Sequence, residues 1–444
     1  MNITGMSISE MVKCIKEGSL SSQELTSKYI SNIEKNKHLN AVIEINPEAV
    51  EIAKRLDSLE KKEGALFGIP ILVKDNINTG DKMRTSAGSV ALANNIAPAD
   101  APIVLRLREA AAVILGKANT TEFANYMTTG AMPNGYSSRG GQTISFFDPK
   151  ADPGGSSTGS GVAVAADMCA AAIGTETFGS IISPSQAAGI TGIKPTIGLL
   201  SSEGIIPISF TLDTAGPMAR CADDTRLLME VLAGRKYQYD NTDKLKGVRI
   251  GICRMFTDEA DPEWVERNEQ LIEIMRQMGA ECIDLPEHNI RIENHLDGVL
   301  KYEFKHGIDT YLKSMKNPAI PQNLHEIINY NELHPEIALK YGQDNLIDIN
   351  ETTSGIMDEP EYKEAMAARN TAISEFEKLF TDNCIDSFFA LTGDSSLGAW
   401  AGFPCMTIPI GKTSSGLPIG SYFAAERFNE GVLLRIASEI EKHC

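Results

Sequence analysis

The sequence predicts an α/β protein, a mixed central β-sheet covered by helices on both faces, built as one large domain over residues 1–444. Three observations point there. Strand-like and helix-like patterns interleave from one end of the chain to the other. The best strand candidates are apolar without alternation, as in a sheet buried on both faces. No linker, internal repeat or low-complexity segment interrupts them. A hydrophobic share of 42% is ample for a substantial core, which excludes a disordered chain.

Taken in order, Ser7 and Glu10 form a capping box ahead of Met11, Val12 and Ile15, with Gly18 as the stop. Ser21 and Glu24 repeat the signal ahead of Leu25, Tyr29 and Ile33. Asn46-Pro47 opens a third helix with proline at its first position, striped by Val50, Ala53 and Leu56. From Leu66 the pattern changes. GIPILVKDNI reads as a buried strand ending in a charge, VLRLREAAAVILGKANTTEF as a helix then a strand, and GVAVAADMCAAAIGT as a small-residue helix followed by a turn. GIKPTIGLLSSEGIIP carries short strand and turn signals. GVRIGICR, a helix begun by Asp261-Pro262 and then AECIDL make a β–α–β pattern. Residues 290–380 are charged and mostly helical, and GFPCMTIPIG with GLPIGSYFAA returns to strands.

A net charge of −18 opposes binding to phosphate backbones and anionic membranes, so neither is expected as a partner. The start, MNITGMSISEMVKCIKEG, lacks a basic and then apolar leader, and no apolar run reaches the ~18 residues of a spanning helix. A cytoplasmic location is the expectation. Eight cysteines are spread singly, without CxxC or metal-like Cys/His spacing, as reduced thiols are. HEIIN at 325–329 has Asn329 where HExxH needs its second histidine, so no metal is expected.

The segment from Pro153 to Pro184 combines serines and glycines with an alanine/valine run. A phosphate cradle fails because Ser160 stands where the P-loop spacing requires lysine. Gly155 to Gly159 matches G-x-S-x-G and would nominate Ser157, yet that elbow must follow a buried strand and here a polar DPKADP precedes it. A serine hydroxyl also needs a base. Residues 66–220 contain no histidine, whereas Lys74 ends a buried strand inside that span. Two readings of Lys74 stand: an ordinary strand-end lysine with its head in water, or a desolvated amine whose pKa has fallen from ~10.4 toward neutrality.

GGSSTGS (154–160), GTETFGSIISP (174–184) and GITGIKPTIG (189–198), with IPILVKDNI (69–77) upstream, resemble the amidase signature family of Ser-Ser-Lys hydrolases. The resemblance is densest over 66–220 and recurs at GFPCMTIPIG and GLPIGSYF. NGYSSRGGQ (134–142) and GIIPISFTLDTAGPMAR (204–220) resemble the branch that includes bacterial peptide amidases. The resemblance implies the amidase signature fold, no cofactor, and release of ammonia or an amine from a small-molecule or peptide amide. It implies Ser180 as acyl nucleophile, Ser156 as a bridging hydroxyl on a cis peptide, and Lys74 as the neutral base. The turn Thr177, Phe178, Gly179, Ser180 would face the oxyanion, and Ser157 would hydrogen-bond the Lys74 head. Residues 290–380 are the expected specificity region, and a homodimer is compatible with all of this.

The chain departs from the common family pattern at Phe178, where glycine or aspartate is usual, at Ile182, where many members have arginine, and at Glu176, which replaces a frequent aspartate. TISFFDP lacks the usual Asn-Pro, and the stretch before the tail lacks Pro-Thr. Phe178 predicts a restricted acyl pocket. One alternative is the glutaminase-like subunit of a tRNA-dependent amidotransferase, whose LDxxGP element resembles residues 212–217; another is a non-catalytic relative that keeps the fold. Arg139, Glu203 and Asp213 are read as pocket or loop residues or as paired surface charges, and Trp264 and Trp400 as packing.

Overall fold

Both N-terminal capping boxes form. Ser7 caps helix α1 (Ile8–Glu17), which Gly18 closes at a left-handed φ of 78°, and Ser21 caps α2 (Ser22–Lys35). A short strand missing from the sequence reading follows, β1 (Val42–Ile45). The third helix, α3 (Ala49–Asp57), begins beyond Pro47. Asn46 Oδ1 accepts the Glu48 N–H at 2.9 Å, which holds the proline in a turn before the helix rather than at its first position. The computed structural model describes residues 4–237, 244–288, 290 and 295–443. Residues 1–3 of the start and 291–294 of the expected specificity region lie outside the described residues.

Next come β2 (Pro70–Lys74), α4 (Pro102–Glu109) with proline at its start, β3 (Val113–Ala118), and a small pair, β4 (Tyr136–Ser137) with β5 (Gly141–Gln142). The serine-rich segment then folds as α5 (Thr158–Ala165), β6 (Ala171–Glu176) and α6 (Ile182–Ala188), followed by β7 (Thr191–Lys194), β8 (Thr214–Ala219) and α7 (Ala222–Ala233). The β–α–β pattern is β9 (Arg249–Cys253), α8 (Pro262–Gln277) and β10 (Glu281–Asp284). The charged region supplies α9 (Leu296–Met315), α10 (Leu324–Leu333), α11 (Pro335–Ala338), α12 (Asp344–Thr352) and α13 (Pro360–Asn383). The tail completes the fold with β11 (Ser387–Ala390), α14 (Ser396–Ala401), β12 (Cys405–Thr407), β13 (Pro409–Lys412), β14 (Pro418–Gly420), β15 (Phe423–Ala425) and α15 (Glu430–Glu441).

One 11-stranded sheet unites the single large α/β domain in the order β1-β3-β2-β6-β8-β7-β12-β15-β11-β9-β10. It is mixed: β2 runs parallel to β3 and β6, β8 is antiparallel to β6 and β7, and β9 is parallel to β10 and β11. The alanine run is corrected here. Only its first half is helical; Asp167, at a left-handed φ of 52°, follows the end of α5, and Ala171 to Glu176 form a central strand between β2 and β8. Every residue of β6 is buried, so the strand shows no polar alternation and reads like a helix core.

Strand alternation divides the core. Phe388, Ala390, Cys405 and Ala424 point into one cluster with the α9–α13 cover, while Phe389, Met406, Phe423 and Ala425 point into another that includes residues of α7, α8 and α15. No helix among the described residues is long and apolar enough to cross a membrane.

Candidate active site

Lys74 ends β2, a strand buried along its whole length, and its side chain is itself fully buried. Nζ donates to Ser156 Oγ at 2.7 Å and to the Thr175 carbonyl at 3.2 Å. Burial pulls its pKa down to about 7, against the opposing influence of the Asp213 and Glu176 carboxylates. The strand-end lysine with its head in water is thereby excluded.

Ser156 follows a cis peptide bond to Gly155. The loop fits where it does because side chains are missing: a Cβ on Gly155 would stand 2.4 Å from Asn134 Oδ1, and one on Gly154, at φ 68°, 2.7 Å from Pro184 Cα. The Ser156 carbonyl accepts from Thr121 N at 3.1 Å and Thr120 Oγ1 at 3.0 Å. Ser157 N donates to the Ser180 carbonyl at 3.1 Å, which fixes the two serine loops to each other. The Ser157 hydroxyl departs from expectation. It donates to the Thr175 carbonyl at 3.0 Å and accepts from Thr175 N at 3.2 Å, so it holds the acceptor that Lys74 shares instead of the lysine head.

Beyond β6 the chain turns through Thr177, Phe178 and Gly179, the last at φ 81°, to Ser180. Two carboxylates set this turn. Glu176 Oε2 accepts the N–H groups of Ile181 and Ile182 at 2.6 and 3.0 Å, just past Ser180. Asp213 Oδ1 accepts the Thr177 hydroxyl at 2.6 Å, and its Oδ2 accepts Ile208 N at 2.8 Å and Ser209 N at 3.1 Å. Burial pushes Asp213 up to about 6 despite those donors. Phe178 is half-buried against the second core, while Ser180 keeps 8% of its surface, in contrast to the fully enclosed Lys74 and Ser156.

Sequence reasoning underrated Asp213 and missed Glu303. Glu303, in α9 and fully buried, accepts from Ser209 Oγ at 2.5 Å, Thr211 N at 3.0 Å, Tyr362 OH at 2.8 Å and the Thr211 hydroxyl. It clasps the loop that delivers Asp213 to Thr177. The LDTAGP stretch could have flagged Asp213; no local pattern marks Glu303. Arg139 pairs with Glu44 and, at 3.2 Å, with buried Asp75 beside Lys74, whereas Glu203 is exposed on a groove of about 570 Å³ that Asp213 also lines. Trp264 and Trp400 pack against the core, as read.

The sequence model of the amidase family matches residues 24–434. The chain belongs to the amidase family. This amidase is 35% identical to a probable amidase of Arabidopsis thaliana over 99% of its own length and 90% of the relative's. Its structure matches that of the native peptide amidase from Stenotrophomonas maltophilia with a TM-score of 0.91, at 34% identity, over 99% of this chain and 97% of the other. The glutamyl-tRNA(Gln) amidotransferase of Syntrophus aciditrophicus has one component chain that is 30% identical over the whole of this chain and 98% of that one. The amidase is therefore an amide hydrolase with the amidase signature fold that the sequence motifs implied.

Proposed function

We propose that the amidase hydrolyses a primary carboxamide, such as a C-terminal peptide amide or a small amide, through a covalent acyl-Ser180 intermediate. One observation carries this reading: a fully buried Lys74, drawn down to about 7, stands 2.7 Å from Ser156 Oγ. A neutral amine at that distance accepts the Ser156 proton as readily as an ammonium donates its own.

Ser180 Oγ attacks the carbonyl carbon, its proton passes to Ser156, and the Ser156 proton passes to Lys74. The Thr177–Ser180 turn offers its N–H groups to the oxyanion; losing one such donor typically costs about 3–4 kcal/mol of barrier. As the C–N bond breaks, Ser156 gives a proton to the departing nitrogen and recovers one from Lys74. Ammonia leaves, and the acyl group remains on Ser180 as an ester. Water then attacks that ester, its proton follows the same relay, and the carboxylic acid is released. The balance is amide plus water to acid plus ammonia.

Labelling with a fluorophosphonate followed by peptide mapping tests the assignment. The adduct is expected on Ser180, lost in Lys74→Ala and retained in Ser157→Ala; an adduct on Ser157 in the wild type would overturn it. The similarity to an amidotransferase chain favours one further reading, delivery of ammonia to a partner chain. Stable co-purification with a partner, together with ammonia release from glutamine in preference to peptide and aryl amides, would establish it instead.

A further inference from the structure

Beside the turn that carries Ser180 lies a cavity of about 220 Å³ with which the proton relay has no contact of its own. Its walls come from distant parts of the chain: Phe178 from the turn, Met255 and Phe256 after β9, Phe388 in β11, and Asp394 and Leu397 at the start of α14. Phe178, two residues before Ser180, is where the turn meets the cavity. A Cβ on Gly179 would stand 3.4 Å from Ser395 Oγ, so the chain between the lining residues Asp394 and Ser396 packs against the same turn.

The lining is mostly apolar. Phe388 and Leu397 are buried, but Phe256 leaves 53% of its surface in water while held at φ 60°, a left-handed conformation that a bulky residue seldom adopts. An aromatic ring fixed in solvent beside an apolar cavity is what an apolar ligand would cover. Asp394 adds a carboxylate, one oxygen of which accepts the N–H and hydroxyl of Ser396 at 2.9 and 2.6 Å, so the wall disfavours an acidic guest. At roughly 30 Å³ for each water-sized atom, the space suits about seven non-hydrogen atoms, the size of a benzyl group.

We propose that this cavity is the subsite for an apolar side chain on the acyl portion of the amide, which makes the carboxamide of an aromatic or branched aliphatic residue the preferred substrate. The inference rests on the ammonia-releasing reading above, because with ammonia as leaving group the acyl portion is all that remains to be held. Phe178 then acts as a wall of the acyl subsite as well as a constriction beside the oxyanion turn.

The test compares the N-acetyl amides of glycine, phenylalanine and lysine, by turnover on the wild type and by calorimetric binding to Ser180→Ala. Phenylalaninamide is expected to exceed glycinamide by at least about 10-fold in kcat/KM, the scale on which apolar pockets discriminate. Leu397→Asp and Phe256→Ala should bring that ratio toward one by lowering kcat/KM for phenylalaninamide more than for glycinamide. Phe256 is exposed, so its variant reads out even where Leu397→Asp fails to fold. Equal turnover of all three amides, or a preference for lysinamide, overturns the subsite and leaves the amidase reading intact. Preferential binding of phenylalaninamide without hydrolysis of any amide supports the subsite and sinks the amidase reading.

Discussion

In the proposed relay Lys74 must be neutral to take a proton, and burial draws its pKa down to about 7. The neutral fraction grows as pH rises through that value, so kcat/KM is expected to climb through about pH 7 and level off above it. Asp213 favours the ammonium form. Asp213→Asn removes that negative charge, so the rising limb should move to lower pH while kcat falls because Thr177 loses its ionic anchor. A limb that stays in place or moves upward would show that Asp213 does not act on the lysine. The same shift reaches stability. Between about 7 and 10.5 the unfolded chain still holds a proton that the folded chain has released, so this group contributes more to stability as pH rises across that window. Urea midpoints of wild type measured against Lys74→Met should therefore move in favour of the wild type from pH 7 to pH 10. The contact of Lys74 with Ser156 and the tie between the two serine loops were legible because the flanking residues form separated motifs. Thr175 was not, because its part is played by a backbone carbonyl and amide, which no residue type announces.

Helix α9 shows how an element far from the motifs reaches the chemistry. Glu303 takes four donors from the 209–211 loop and Tyr362 of α13, and that loop ends at Asp213, the anchor of Thr177. Glu303→Gln keeps the shape but weakens every one of those bonds, with an expected stability loss of about 1–3 kcal/mol. Because the effect passes to the turn proposed to hold the oxyanion, kcat should drop roughly 10-fold with KM little changed, on the logic that interactions felt in the transition state alter turnover. A fall in melting temperature with kcat intact would reduce Glu303 to a structural brace. Helices with capping boxes were readable in the sequence because the cap is local. β6 was not, because a strand buried on both faces loses the alternation that distinguishes it from a helix core. β1 lay hidden for another reason: its four residues are all half-buried, and its identity depends on pairing with β3, a long-range partner.

Across the whole molecule, Ser180 sits on a seam. Its neighbour Ile181 belongs to the first core cluster and the next residue, Ile182, to the second, while one continuous sheet of 11 strands runs through both. The proposed site on such a seam exists only while both clusters are folded, and a shared sheet couples them because neither can expose its strands without unpairing the other's. The chain has two tryptophans, and they report on the two clusters separately: Trp264 packs against the first and Trp400 is buried in the second. In Trp264→Phe and Trp400→Phe, the remaining tryptophan should unfold in urea at the same midpoint as the far-ultraviolet circular dichroism and the activity of that variant. Coincidence in both variants is what one domain requires. If the Trp400 signal and activity were lost together at lower urea, with the Trp264 signal persisting, the α9–α13 cover would be a separate unit that folds onto a stable signature core, and the one-domain assignment over residues 1–444 would fall.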